Sequence, residues 1–390
     1  MIRTFVLPLV ACVAFMGADV AGAAPVSRDD PEGAESNQRT ISSAAGLAVV
    51  VTAHPLATVA AHTMLMKGGS AVDALVAAQS VLAVVEPQSS GLGGGGFLLH
   101  WKAQQRQLDV LDGREQAPSA SQPDDLLKPD GQPLPWREAT SQLRAIGIPG
   151  TVALLWDAHQ RWGRLPWTTT FQPAIKLARK GFRTTPRLLR SISLAQRIGT
   201  RHSPEFDQLY RPGGELPRLN EVFRNPALGD TLEQIARDGG SSFYDGALAA
   251  RILKGIAELG SKERAFQGWA AADLKNYTVI RRHPVCHPIQ RWQLCTVPPP
   301  SGGGLAILQT LALLEATGPM SNPKRPQTWQ RFASALQWAD ADRFYWVNDP
   351  SDWPVPTKGL LTPRYLRGRA QALLDQPASI PGPGLPPGRS

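Results

Sequence analysis

Residues 86–101 read EPQSSGLGGGGFLLHW, and Gly91, Gly93 and Gly96 within them follow a G-x-G-x-x-G spacing. That spacing marks a pyrophosphate cradle only when a strand precedes it and a helix follows, so that the helix N-terminus faces the anion. Here the order is reversed. The run AVDALVAAQSVLAVV (71–85) reads as a helix that Ser70 can cap and Pro87 stops, since proline disfavours helical geometry in the residue before it. After the glycines, FLLHWKA and QLDVLDG read as two strands joined by a tight polar turn. No helix dipole points into the loop. The consecutive glycines 93–96 instead permit close approach of backbone to something, either a structural contact or a pocket wall.

Outward from this stretch, GLAVVVTAH (46–54) is a short valine-rich run that reads as a buried strand. Pro55 suits the first turn of a helix ended by Gly68 and Gly69. Residues 121–145 are Pro-rich and loop-like, whereas GTVALLWDAHQRWG and FQPAIKLARKG are amphipathic helices, the second closed by Gly181. Residues 195–225 read as irregular. Helices are expected around 228–237 and 247–259, strands between 277 and 297, then the helix LAILQTLALLEA behind PPPSGGG (298–304) and another near 328–347. The tail PASIPGPGLPPGRS (377–390) cannot form a packed element by itself. Helices and strands are intermixed, and the hairpin at 96–113 favours a layered α/β or α+β domain.

The totals narrow the function classes. With 390 residues, 42% of them hydrophobic, the chain can bury a large core. Its net charge of +9 is scattered among prolines and apolar residues, and no basic run is interleaved with aromatics, which argues against nucleic acid. Arg3, the short apolar run FVLPLVACVAFMG and AGA at 21–23 read as a signal peptide cleaved near Ala23, with residues 24–44 a flexible lead-in. LVAC ending at Cys12 resembles a lipoprotein box but lies very early. No later stretch is long and apolar enough for a membrane span, so a periplasmic or secreted location is expected.

After processing, Cys286 and Cys295 remain. A two-residue turn at Gln290 and Arg291 would put them opposite each other, which suggests one disulfide in an oxidising compartment. Gln-Arg is a poor tight-turn pair, and a looser connection is expected. His283, Cys286 and His287 in HPVCH offer a metal alternative, weakened by the flanking prolines and the lack of a companion cluster. The informative charge is Arg114 in LDGREQAPSA, directly after an apolar strand. An arginine there can present its planar fork to a carboxylate, or it can simply pair with Asp112 or Glu115. There is no G-x-S-x-G elbow, H-E-x-x-H or Walker loop, and Ser89, Ser90 and Ser301 have no visible base. The residues by themselves supply no nucleophile.

Taken in order, AHPLAT, GGSAVDALVAAQSVLAVVEPQSSGLGGGGFLL, LDGREQAP, GIPGTVALLWDAHQRWGRLPW, PAIKLARKGF, FYDG and PPPSGGGLAILQTLALLE resemble the gamma-glutamyltranspeptidase family from about residue 46 onward. The looser ADADRFYWVNDP and VPTKGLLTPRYL also fit. The resemblance implies an α+β fold of the N-terminal-nucleophile hydrolase type, a four-layer αββα sandwich of which residues 45–375 would be the large-subunit portion. It implies an exported proenzyme that cuts itself in two, and an N-terminal threonine that attacks gamma-glutamyl amides such as glutathione. The family's arginine in this motif grips the glutamyl alpha-carboxylate, and Arg114 matches it. The resemblance implies no cofactor and no metal. The threonine is expected beyond Ser390, on a small subunit, with residues 376–390 as the linker before the cleavage point. On that expectation the fold is incomplete without the small subunit and the chain alone is inert. The alternatives are a truncated remnant or binding protein, or a relative of the cephalosporin acylases. One departure stands out: Gly302 occupies a position where the family usually carries a second serine.

Overall fold

In a computed structural model of the protein, the described residues are 48–198, 204–260, 268–319, 322–376 and 380–388. They all fall within one contiguous unit, Gly46–Ser390. Residues 1–23, expected to be a signal peptide, with Cys12 among them, the expected lead-in at 24–44, and Ser390 lie outside the described residues.

Two local signals start the fold. Pro55 occupies the first turn of α1 (Pro55–Met66), where its missing N–H is not needed, and the Leu56 N–H donates to His54 Nδ1 at 3.1 Å. Ser70 caps α2 (Ala71–Val85) reciprocally with Asp73. The Asp73 N–H donates to Ser70 Oγ at 3.2 Å, and the Ser70 N–H donates to Asp73 Oδ2 at 2.6 Å. Eleven of the fifteen residues of α2 are buried, and only the narrow stripe of Ala71, Leu75, Gln79 and Leu82 is exposed or half-buried. Asp73 does more than cap. Its carboxylate also accepts the N–H groups of Arg164 (3.0 Å) and Leu165 (3.3 Å), with His159 Nε2 at 3.2 Å. A buried charge is tolerated when hydrogen-bonded in this way, and here it ties a distant turn to the start of α2.

A single turn, α3 (Pro87–Ser90), leads into the glycine loop, followed by β1 (Gly96–Lys102) and β2 (Gln107–Gly113). The hairpin is antiparallel from Gly96 opposite Gly113 to Lys102 opposite Gln107. The Pro-rich segment after it contains the short turns α4 (Trp136–Ala139) and Leu143–Ala145, before α5 (Thr151–Trp162) and α6 (Trp167–Lys180), closed by Gly181 at φ 91°. Next come β3 (Phe182–Arg183), α7 (Pro186–Ile198), α8 (Pro204–Tyr210) and β4 (Val222–Phe223). The 195–225 region is therefore less irregular than its sequence suggests. Phe182 meets Phe223 edge-on at 5.8 Å and Tyr210 stacks on Phe223 at 5.4 Å, so aromatic packing organises what has no local periodicity.

The chain continues through α9 (Pro226–Asp238), α10 (Ala247–Gly260), α11 (Ala271–Lys275), β5 (Ile280–Arg282), β6 (Val285–Ile289), β7 (Trp292–Thr296), α12 (Gly302–Ala316), α13 (Pro326–Trp346), α14 (Thr357–Leu360) and α15 (Pro363–Asp375). β5 joins the far side of β2, giving an antiparallel sheet in the order β1-β2-β5. One core joins α1, α2, α5, α6 and α9 to Leu98 of β1 and Leu111 of β2. A second lies among α12, α13 and α15. The valine run ahead of α1 differs from expectation. Residues 48–54 form no strand, and Val49 and Val51 are exposed, because no described segment offers a ladder to pair with.

β6 and β7 form a separate hairpin with Cys286 opposite Cys295, and the two are disulfide-bonded. The looser connection does not occur. Ile289 pairs with Trp292, leaving a two-residue turn in which Gln290 takes φ 52° and donates its N–H to Glu315 Oε1 of α12 at 3.0 Å. Gly302, at the start of α12, packs on Arg343: a Cβ there would stand 2.8 Å from Arg343 Cδ. The serine usual in the family would have to displace that side chain.

The tail also packs. Asp342 of α13 is buried and accepts from Gly384 N–H (2.8 Å), Arg369 Nη2 (3.0 Å), Gln309 Nε2 (3.1 Å) and the Tyr365 hydroxyl (2.8 Å). Trp346 Nε1 donates to Gly384 O at 3.0 Å. Residues 380–388 therefore form no regular element, yet Gly384 is fastened to α13 at both backbone groups, by the Asp342 carboxylate and by Trp346.

Two outcomes follow from these contacts. Asp342→Ala leaves Arg369 uncompensated and is expected to destabilise the chain by about 3 kcal/mol in urea unfolding, with faster hydrogen exchange in 380–388. Non-reducing mass spectrometry of the purified protein is expected to find no free thiol at Cys286 or Cys295. Cys295→Ser is expected to cost about 2–3 kcal/mol, the range for closing a short loop.

Candidate functional site

Arg114 is the first residue beyond β2, and its environment explains why its side chain is available. The preceding carboxylate, Asp112, is buried and accepts from Arg282 Nε of β5 at 2.6 Å. Its other oxygen accepts the backbone N–H of Arg114 at 2.9 Å. Asp112 is thus engaged by the Arg282 guanidinium and by the backbone of residue 114. Among the described residues no carboxylate, Glu115 included, forms an ion pair with the Arg114 guanidinium, which is exposed. The local salt bridge that competed with a binding role does not form.

The carbonyl of Arg114 is held from the other side. The Tyr277 hydroxyl donates to it at 2.8 Å. The Tyr277 ring stacks on Tyr244 at 5.4 Å and 15°. The Tyr244 hydroxyl in turn donates to Pro149 O at 2.9 Å and accepts from the Ala153 N–H at 3.0 Å. Burial pushes both phenols far above the ordinary tyrosine range, and for Tyr277 the carboxylates of Asp112 and Glu115 add to the shift. Both hydroxyls therefore remain protonated donors at any working pH.

The glycine loop forms the third wall. Gly94 O accepts the N–H groups of Gly150 and Thr151, both at 2.9 Å, and so satisfies backbone donors at the start of α5. A Cβ on Gly95 would stand 2.5 Å from Gly113 O, 2.8 Å from Glu115 N and 2.9 Å from Arg114 C. One on Gly150 would collide with Gly113 O and the Tyr277 hydroxyl, and one on Gly147 would stand 2.9 Å from Glu115 Cβ. Gln116 and Ile148 exchange backbone hydrogen bonds at 3.2 and 2.7 Å. Gly93, by contrast, faces open space, and Gly96 pairs with Gly113. The loop therefore grips the backbone around Arg114, with helix before it and strand after it.

The other residues singled out in the sequence lie elsewhere. Cys286, Cys295 and His287 belong to the β6–β7 hairpin, and His283 precedes it. No group of three His, Cys, Asp or Glu residues able to hold a metal occurs among the described residues. A cleft of about 640 Å³ opens between α15 and residues 384–388, lined by Arg364, Tyr365 and Arg369, and does not include Arg114. No helix among the described residues is long and apolar enough to cross a membrane. Sequence reading missed Tyr277, Tyr244 and Arg282. Only Tyr244 carried a signal, through its place in FYDG.

Chemically, an unpaired guanidinium on a backbone fixed at both its N–H and its C=O can offer two parallel hydrogen bonds to a carboxylate. Comparison with known proteins puts this geometry in context. A family model described as Gamma-glutamyltranspeptidase matches residues 57–383. The glutathione hydrolase proenzyme of Bacillus subtilis (strain 168) is 34% identical over 340 residues, which is 87% of this chain and 57% of that protein. The chain thus spans rather more than half the length of this curated relative. Gamma-glutamyltranspeptidase from Pseudomonas nitroreducens, solved complexed with L-DON, superposes with a TM-score of 0.76 at 30% identity, covering 86% of this chain and 96% of that one. Cephalosporin acylase from Bacillus halodurans gives 0.72 at 27%, covering 85% of this chain and 60% of that one. The shared fold is α+β, of the N-terminal-nucleophile hydrolase type. Because the family match runs through the glycine loop, the Arg114 strand end and both tyrosines that support it, the chain belongs to the gamma-glutamyltranspeptidase family.

Proposed function

We propose that this chain is the large-subunit part of an exported gamma-glutamyltranspeptidase, in which Arg114 clamps the alpha-carboxylate of the gamma-glutamyl donor. The observation that carries the reading is the free Arg114 guanidinium beside an Asp112 already engaged by Arg282. A glutamyl group offers the matching anion, and glutathione-like peptides are the proposed donors. The nucleophile is proposed to be the N-terminal threonine of a small subunit. Its hydroxyl adds to the gamma-carbonyl while its own amine takes the proton. The amide nitrogen leaves protonated, and the resulting glutamyl ester passes to water or to an acceptor amine. The division of labour follows: this chain positions the donor, and the partner supplies the bond-making group.

Two further features support a partner. Leu99 and Trp101 of β1 are exposed, as are Trp329, Phe332, Leu336 and Phe344 along α13. Apolar surface spread over a sheet edge and a helix is what a covering subunit would bury. Export is supported by the signal-like residues 1–23 and by the Cys286–Cys295 bridge, which persists in an oxidising compartment. The acylase reading, favoured by the likeness to a cephalosporin acylase, keeps the same architecture with a different acyl group.

Assays separate these. The chain with its small subunit is expected to release the leaving group from gamma-glutamyl anilides, and the chain alone is expected to release none. Turnover by the chain alone would overturn the proposed origin of the nucleophile, and preference for a cephalosporin side chain over a gamma-glutamyl group would favour the acylase. In the assembled enzyme Arg114→Lys, which cannot reproduce the fork, is expected to raise KM for the glutamyl donor about tenfold or more with kcat nearly unchanged.

A further inference from the structure

We infer that Tyr277 is a positioning residue for Arg114, and that it sets donor affinity through the backbone rather than by touching the substrate. The inference rests on the clamp reading above. A bidentate clamp is useful only if the guanidinium leaves the backbone in a fixed direction, because a small angular error loses one of its two hydrogen bonds. Arg114 follows the last strand residue, where a chain is ordinarily free to swing. Here it is pinned at both backbone polar groups: the N–H to Asp112 Oδ1 at 2.9 Å, the C=O to the Tyr277 hydroxyl at 2.8 Å.

Several features point to a purpose-built contact. Tyr277 is buried, yet its hydroxyl spends its hydrogen bond on the residue-114 carbonyl. Room for that hydroxyl exists only because residue 150 lacks a side chain, since a Cβ on Gly150 would occupy the same space. The ring is braced on one face by stacking on Tyr244, whose own hydroxyl is engaged by Pro149 O and Ala153 N. The same Pro149–Thr151 segment is tied to the glycine loop through Gly94 O. Tyr277 thus links the Arg114 carbonyl to the rigid start of α5. A tyrosine needed only for packing would have its hydroxyl satisfied equally well by any nearby acceptor. This one acts on Arg114, whose guanidinium forms no ion pair among the described residues.

Tyr277→Phe removes the hydroxyl and keeps the ring and its stacking. In the enzyme assembled with its small subunit, and with a gamma-glutamyl anilide as donor, the expected result is a rise in KM of about three- to tenfold with kcat nearly unchanged. Combined with Arg114→Lys, it is expected to add no further rise, because the geometry it maintains no longer matters. A normal KM in Tyr277→Phe beside a raised KM in Arg114→Lys overturns the inference and leaves the clamp standing. A normal KM in Arg114→Lys overturns the clamp itself. Additive effects, or a fall in kcat without a change in KM, also overturn the positioning role. In the same assembled enzyme, hydrogen exchange across 112–117 is expected to accelerate in Tyr277→Phe while α2 and α6 keep their protection. Unchanged exchange in 112–117 overturns the inference without recourse to activity.

Discussion

Three stretches of backbone meet closely around Arg114: Gly94–Gly95, Gly113–Glu115 and Gly147–Gly150. At Gly95, Gly147 and Gly150 the approach is closer than a Cβ allows, and the stretches are tied by hydrogen bonds from Gly94 O to the start of α5 and between Gln116 and Ile148. Where backbone packs on backbone, as at Gly95 against residues 113–115, carbonyl and amide positions follow from φ and ψ alone and no rotamer can relax the contact. The direction in which the Arg114 side chain departs is therefore set by the fold as a whole: α2 delivers the glycine loop, β2 delivers residue 113, and α5 delivers residue 150.

Buried carboxylates do comparable work elsewhere in the chain. Asp73 joins the first turn of α2 to the turn before α6, Asp112 joins β2 to β5 and to the residue-114 backbone, and Asp342 joins α13, α15 and residue 384. Each accepts at least two hydrogen bonds, and two of the three face an arginine, which offsets the desolvation that an isolated charge would suffer. The consequence differs by place. At Asp73 and Asp342 the product is a fixed chain path. At Asp112 it is also the release of Arg114 from its nearest potential counter-ion.

How much of this was legible in the sequence depended on range. Ser70, Pro55, Pro87 and Gly181 act on their own neighbours, so the helix limits they set could be read directly. The glycine loop could be read as a close-approach device because the order of helix and strand around it is a local fact. Tyr277 and Arg282 act on residues 163 and 170 positions away, and nothing in their own surroundings marks them. The valine run before Pro55 misled for a related reason: composition reports that a strand is possible, whereas a strand exists only where a ladder partner does. Residues 195–225 misled in the opposite sense, since Phe182, Tyr210 and Phe223 order a region by contacts that periodicity does not encode.

If the nucleophile belongs to a different subunit, the demands on Arg114 become stricter. Two groups on one rigid element keep their separation through small motions of that element, but two groups on separate subunits inherit every error in the interface between them. Productive attack tolerates only about 0.5 Å of misplacement. With the interface contributing its own variation, the clamp must contribute very little. A side chain on an ordinary loop could not meet that condition, whereas one whose backbone N–H and C=O are both engaged can. On this argument the glycine loop and Tyr277 serve one requirement, which is to make one half of a divided active site stiff enough that assembly with the other half suffices to complete it.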